Sequence, residues 1–203
     1  MSGEFNSGMK YNISKFEGIS RLGMYGKEFM EDWITYSYYR MAADLEKMEW
    51  SNVHRTRYIL ANSWSKDYFL YLYNRVGKDY RWWYGNYMDD NELEEYLTNP
   101  IGRTFITLMD NGEPAGFGII KFEDSWDCNL EYFGIVKQSM GKGLGKKFLL
   151  DVMQYARLTR KKMWLYTTSL DSPAALPNYQ SCGFKIIEKK LVQEYYPIHS
   201  LQG

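Results

Sequence analysis

Three closely spaced glycines, Gly141, Gly143 and Gly145, join the apolar run Tyr132-Phe-Gly-Ile-Val136 to the amphipathic stretch Phe148-Leu-Leu-Asp-Val-Met-Gln-Tyr-Ala156. A strand-to-helix junction of this composition can hold an anion. Its glycines let the backbone come close to a ligand, and the unpaired N–H groups of the helix's first turn meet it with the positive end of the dipole. A phosphate or pyrophosphate suits that cradle. The Walker A pattern is not met, because Lys147 follows Lys146 where a hydroxyl residue is required, and the dinucleotide fingerprint is matched poorly. Just upstream, Glu131 lies mid-strand among Leu130, Tyr132, Phe133 and Ile135, so its carboxylate faces either a cleft or a partner. Partial burial would raise its pKa toward the range of a general base. An exposed or salt-bridged edge carboxylate is the competing reading.

The spacing Gln138-x-x-Gly141-x-Gly143-x-Gly145 resembles the Gln/Arg-x-x-Gly-x-Gly/Ala signature with which the GNAT superfamily of acyl-CoA N-acyltransferases holds the pyrophosphate of coenzyme A. A second stretch strengthens the likeness. Met163–Leu170 reads as a strand, and Ala175, Tyr179, Gly183 and Phe184 follow at the spacings of the family's Asn-x-x-Ala-x-x-x-Tyr-x-x-x-Gly-Phe motif. Ser172 stands in place of that asparagine, so Asn178 or backbone groups would contact the pantetheine arm. The resemblance, which spans roughly residues 102–190, implies acetyl-CoA as cofactor. It sets Phe133, Gly134, Ile135 and Val136 along the pantetheine arm, with a backbone N–H near Gly134 or Ile135 polarising the acetyl carbonyl. Gln138, Met140, Gly141, Lys142, Gly143, Leu144, Gly145 and Lys146 then surround the phosphates. Tyr179 matches the family tyrosine that donates a proton to the leaving thiolate, core packing being the alternative. A merely solvated basic face is the alternative for Lys146 and Lys147.

The elements that must position these groups follow from periodicity. Arg57–Ala61 reads as a strand, Tyr68–Gly77 as a helix and Asp89–Leu97 as a short helix. Thr104–Met109 and Ala115–Phe122 form a hairpin across Asn111-Gly112, and a further strand covers 128–136. Then come a helix over 144–160, a strand over 163–169, a helix over 173–181 and a closing strand over Phe184–Tyr195. The resulting α+β fold, a mixed and mostly antiparallel sheet flanked by helices, is the GNAT arrangement. From Gly26 to Met48, Phe29, Met30, Trp33, Ile34, Tyr38, Met41 and Ala42 recur at helical spacing, which predicts a long amphipathic helix. Residues 1–10 read as a flexible terminus or cloning remnant, 11–56 as an N-terminal helical extension and 57–203 as the transferase domain.

Tyr80-Arg-Trp-Trp-Tyr-Gly-Asn-Tyr87 is dense in aromatics where GNAT proteins build their acceptor site. Trp82, Trp83 and Tyr84 could hold an ammonium or alkyl stem by cation–π contact, with Glu123, Asp124 or Asp171 adding negative charge; core packing is the competing reading. Lys plus Arg and Asp plus Glu each total 25, so no global field draws the chain to nucleic acid or membrane. Cys128 and Cys182 are too few for a disulfide scaffold and read as packing residues. His54 and His199 lie far from the motifs, and no metal site is visible. A reducing cytoplasm fits this composition, and a homodimer through the N-terminal segment or the closing strand is compatible with it. The expectation is an acetyl-CoA-dependent N-acetyltransferase acting on a small-molecule or peptide amine by direct transfer. A coenzyme A sensing module without turnover and a toxin that acetylates aminoacyl-tRNA are the alternatives.

Overall fold

The computed structural model describes residues 31–50, 55–82, 84–98, 102–123 and 126–197. One mixed sheet of seven strands runs through them in the order β2-β3-β4-β5-β6-β1-β7. In chain order the strands are β1 (Glu31–Asp44), β2 (Arg57–Ala61), β3 (Arg103–Asp110), β4 (Glu113–Phe122), β5 (Asp127–Ile135), β6 (Lys162–Thr168) and β7 (Lys185–Pro197). All neighbours are antiparallel except β5 and β6. The helices are α1 (Lys66–Gly77), α2 (Tyr84–Tyr87), α3 (Asp90–Thr98), α4 (Leu144–Arg157) and α5 (Ala175–Ser181). The strand, hairpin and helix expectations from Arg57 onward match these elements.

The Gly26–Met48 expectation is overturned: residues 31–44 are a strand, not a helix. β1 lies between β6 and β7, pairing Tyr38 with Thr168 on one side and Glu31 through Ala42 with β7 on the other. The physical reason lies in composition. Trp33-Ile-Thr-Tyr-Ser-Tyr-Tyr39 is almost wholly aromatic or β-branched, residues that fit a pleated surface and lose rotamer freedom in a helix. Met41, Ala43 and Leu45 are buried while Arg40, Ala42 and Asp44 are only half-buried, a period of two. This strand is therefore part of the transferase sheet rather than an extension beside it. The expectations for residues 1–30, His54, Trp83, Asp124 and His199 lie outside the described residues.

Two cores sandwich the sheet. α4 lays Phe148, Leu149, Val152, Met153 and Ala156 on one face against Met41, Leu130, Met163 and Leu165. On the opposite face α1 and α3 bury Phe69, Leu72, Tyr73, Val76, Leu93 and Leu97 over Phe105, Phe117 and Ile119. α1 starts at Ser65, whose side chain accepts from the Tyr68 N–H at 3.3 Å. Inside the first core the Asp151 carboxylate, shut off from solvent, accepts from the backbone N–H groups of Arg55 (3.0 Å) and Thr56 (2.7 Å) and from the Thr56 hydroxyl (2.7 Å). It thereby ties the approach to β2 onto α4.

Candidate active site

β5 and β6 pair only over Asp127–Leu130 against Lys162–Leu165, although β5 continues to Ile135 and β6 to Thr168. Beyond Leu130 each strand keeps its outer neighbour, β4 for β5 and β1 for β6, so the sheet opens into a wedge between them. The facing edges leave backbone donors and acceptors without a strand partner, and such edges take up extended ligands. A bulge starts the divergence. Ile119 pairs with Tyr132 and Ile120 with Leu130, so Glu131 is the extra residue. It sends Glu131 and Tyr132 to the same face. Tyr132 packs on Tyr73 (5.7 Å) and Trp82 (5.5 Å), whereas Phe133 turns to the opposite core and stacks on Phe148 (5.3 Å). Gly134 sits where a Cβ would collide with Val76.

A single cavity of about 1190 Å³ joins this wedge to the glycine loop. Gly141 (φ 78°) and Gly143 (φ 72°) are left-handed, and Gly143 caps α4 with no side-chain hydrogen bond, so no side chain fills the helix's N-terminal cradle. Of the residues expected to contact the cofactor, Phe133, Gly134, Ile135, Met140, Gly141, Gly143, Leu144, Gly145, Lys146 and Asn178 line the cavity. Val136, Gln138 and Lys142 are not among its lining residues. Val136 is buried in the core under α1 and gives its N–H to Ala115 (2.9 Å), Gln138 is exposed, and Lys142 pairs with Asp110 (2.7 Å).

Tyr179 projects from α5 into the cavity, wedged between Phe133 (6.2 Å) and Phe184 (5.9 Å), and its hydroxyl meets no side chain of the described residues. Burial first, then the nearby Asp171 carboxylate, pushes its phenol well above the ordinary tyrosine range. Glu131 corrects the general-base expectation. Its side chain is 4% exposed and its carboxylate is bound by Arg103 (2.9 Å) and by the Tyr96 hydroxyl (2.9 Å). Both carboxylate oxygens are thereby engaged, and the contacts anchor the bulge to β3 and α3. Burial lifts the Tyr96 phenol as well, with Glu131 adding to the effect. In the unfolded chain both tyrosines would ionise near pH 10, while the folded state holds their protons. Stability is therefore fully present below about pH 10 and falls as pH rises beyond it. Urea midpoints measured between pH 8 and 11 check this; a flat profile would contradict it. Burial pushes the Cys128 thiol up to about 12 and raises Cys182, so neither is an activated nucleophile.

Elsewhere along the cavity Trp82 donates its indole N–H to Asp171 (3.2 Å), whose other oxygen accepts from the Thr167 hydroxyl and the Thr168 N–H (2.9 Å each). This bond spans the wedge, from the segment after α1 to the loop after β6. Tyr84 opens α2 at the cavity wall. Sequence reasoning missed the remaining wall. β1 and β6 contribute Tyr38, Arg40, Trp164 and Tyr166, and β5 contributes Asn129. The strand alternation of residues 36–42 would have found the first two. Among the described residues no cluster of His, Cys, Asp and Glu could hold a metal ion, and no helix is long and apolar enough to cross a membrane.

The family model described as Acetyltransferase (GNAT) family matches residues 61–184. No curated protein matches the sequence. Among solved structures, a functionally unknown conserved protein of Staphylococcus epidermidis superposes with a TM-score of 0.59 at 16% identity, over 93% of this chain and 69% of its own. A GNAT-family acetyltransferase of Colwellia psychrerythraea gives 0.57 at 13% identity, over 92% and 74%. A GNAT-family protein of Novosphingobium aromaticivorans gives 0.56 at 11%, over 89% and 79%. At these identities the likeness is one of fold.

Proposed function

Because the chain belongs to the acetyltransferase (GNAT) family, we propose that it moves an acetyl group from acetyl-CoA to a primary amine, by direct attack in a ternary complex in the cytoplasm. The observation that carries this reading is the β5–β6 wedge, which opens into one cavity with the left-handed glycine loop and the Tyr179 hydroxyl. Acetyl-CoA supplies an activated thioester. The first-turn N–H groups of α4 and Lys146 hold its phosphates, and the unpaired edge of β5 takes the pantetheine arm as an added strand. A backbone N–H of that edge polarises the thioester carbonyl. Trp82 and Tyr84 bound the acceptor, and Asp171 draws its ammonium toward the wedge. The amine proton leaves to water, since Glu131 is committed to Arg103. Tyr179, whose raised pKa keeps it protonated, delivers a proton to the departing sulfur and recovers one from solvent.

Thiol release from acetyl-CoA against a panel of primary amines tests the reading; coenzyme A binding without release from any amine would overturn it. Gly143→Glu is expected to weaken coenzyme A binding by about tenfold or more, because the added carboxylate opposes the phosphates and the left-handed backbone resists a side chain. Unchanged affinity by titration calorimetry would remove the glycine loop from the phosphate site.

A further inference from the structure

The face of β5, β6, β1 and β7 that lines the cavity carries two polar groups with no hydrogen-bond partner among the described residues. Asn129 is 9% exposed, lines the cavity, and its Oδ1 meets no hydrogen-bond donor. Arg40 also lines the cavity; among the described residues its Nε, shut off from solvent, has no hydrogen-bond partner and its guanidinium makes no ion pair. The two are neighbours across one ring. Asn129 stands beside Trp164 in the β5–β6 register, and the Arg40 guanidinium carbon lies 5.0 Å from the centre of that same indole. Glu188, which faces Arg40 across β1 and β7, is engaged with Lys190 (3.4 Å), and Lys190 in turn lies over Tyr38.

An unpaired buried acceptor and an unpaired guanidinium are costly in an empty pocket and are satisfied by a ligand offering the complementary groups. A guanidinium stacked on an aromatic plane presents a rigid fork suited to a carboxylate. Asn129 lies one residue before the last β5–β6 pair, at the apex of the wedge, so its Oδ1 is placed to accept from an amine there. Arg40 pairs with Tyr166, one residue past the last β5–β6 pair, and reaches the same cavity from the β1 side of that apex. We infer that the acceptor is an amine that also carries a carboxylate, an amino acid or a close relative, with its carboxylate on Arg40 and its amine N–H on Asn129. This deepens the acetyl-transfer reading and rests on it. A bare polyamine would leave Arg40 unpaired and add a second cation beside it.

The experiment compares acceptors that differ only by the carboxylate: lysine with cadaverine, ornithine with putrescine, phenylalanine with phenethylamine and tryptophan with tryptamine. Thiol release is read for the parent and for Arg40→Gln, and coenzyme A affinity is measured by calorimetry on both. At least one carboxylate-bearing member is expected to exceed its decarboxylated partner in kcat/KM. Arg40→Gln should raise KM for that member about 10- to 100-fold, leaving the partner and coenzyme A affinity unchanged. Arg40→Lys, which keeps the charge and loses the fork, should recover part of the loss. Equal or better use of the decarboxylated partners overturns the inference, as does an equal loss on both members. Coenzyme A binding with no turnover of any acceptor overturns the acetyl-transfer reading and the inference with it. Absence of coenzyme A binding by the parent strikes the acetyl-transfer reading itself. The parent's own preference decides the matter should Arg40→Gln not fold.

Discussion

Replacing Tyr179 by phenylalanine is expected to lower acetyl-transfer turnover by about 100- to 10,000-fold, the range of a general acid, while leaving coenzyme A affinity unchanged. The ring is held on both sides by Phe133 and Phe184, so phenylalanine keeps the packing and removes only the hydroxyl. That oxygen makes no side-chain contact with the described residues, hence its loss leaves no orphaned protein group. Burial and the Asp171 carboxylate both favour the protonated phenol. The parent's rate should therefore show no loss of this acid through neutral and mildly alkaline pH. Single-turnover kinetics with acetyl-CoA and the preferred amine separate the chemical step from binding. An unaltered rate for Tyr179→Phe would leave the residue as core packing and the thiolate protonated by solvent.

The second large effect concerns stability. Asp151→Ala is expected to cost about 3–5 kcal/mol, the loss seen when one member of a buried charged network is removed. The carboxylate is fully buried, pairs with Arg55 (3.6 Å) and accepts from two backbone N–H groups and the Thr56 hydroxyl. Its removal leaves those half-buried donors without their acceptor. Against a total of about 5–15 kcal/mol for a domain, that is a large share. Urea unfolding of the parent, Asp151→Ala and Asp151→Asn measures it. Asparagine keeps one acceptor oxygen and should retain part of the stability. A midpoint for Asp151→Ala equal to the parent's would mean that the 55–56 segment is held by other contacts.

Asp151 also shows where sequence reasoning runs out. Its neighbours Phe148, Leu149, Val152 and Ala156 trace the buried stripe of α4 directly, because a 3.6-residue period reports local burial. The carboxylate beside that stripe is explained only by donors 95 residues away, which no local pattern encodes. Glu131 repeats the lesson. Its position in a strand was legible, but the bulge that turns it with Tyr132 toward Arg103 and Tyr96 depends on register with β4. The glycine loop and the Ala175–Phe184 segment were readable because their residues are nearly consecutive in the chain, where left-handed glycines and a short helix leave a compact local pattern. The cavity wall of Arg40, Asn129 and Trp164 was not, since these residues come from three separated strands that meet only in the sheet. The error over residues 31–44 had a different origin. An amphipathic pattern was counted at helical spacing while the aromatic and β-branched content favoured a strand.

The interior place of β1 also governs how the molecule is assembled. Ser37 and Ser169, bonded between β1 and the end of β6, are 132 residues apart, so this pairing closes a very long loop before any gain returns. Pairings of this separation slow folding. During synthesis β1 leaves the ribosome long before β6 and β7 exist, and until then it is an aromatic strand with two unpaired edges. Docking of β1 completes both the first core, through Met41 and Ala43, and the cavity wall of Tyr38 and Arg40, so the site forms only when the two ends of the chain have met.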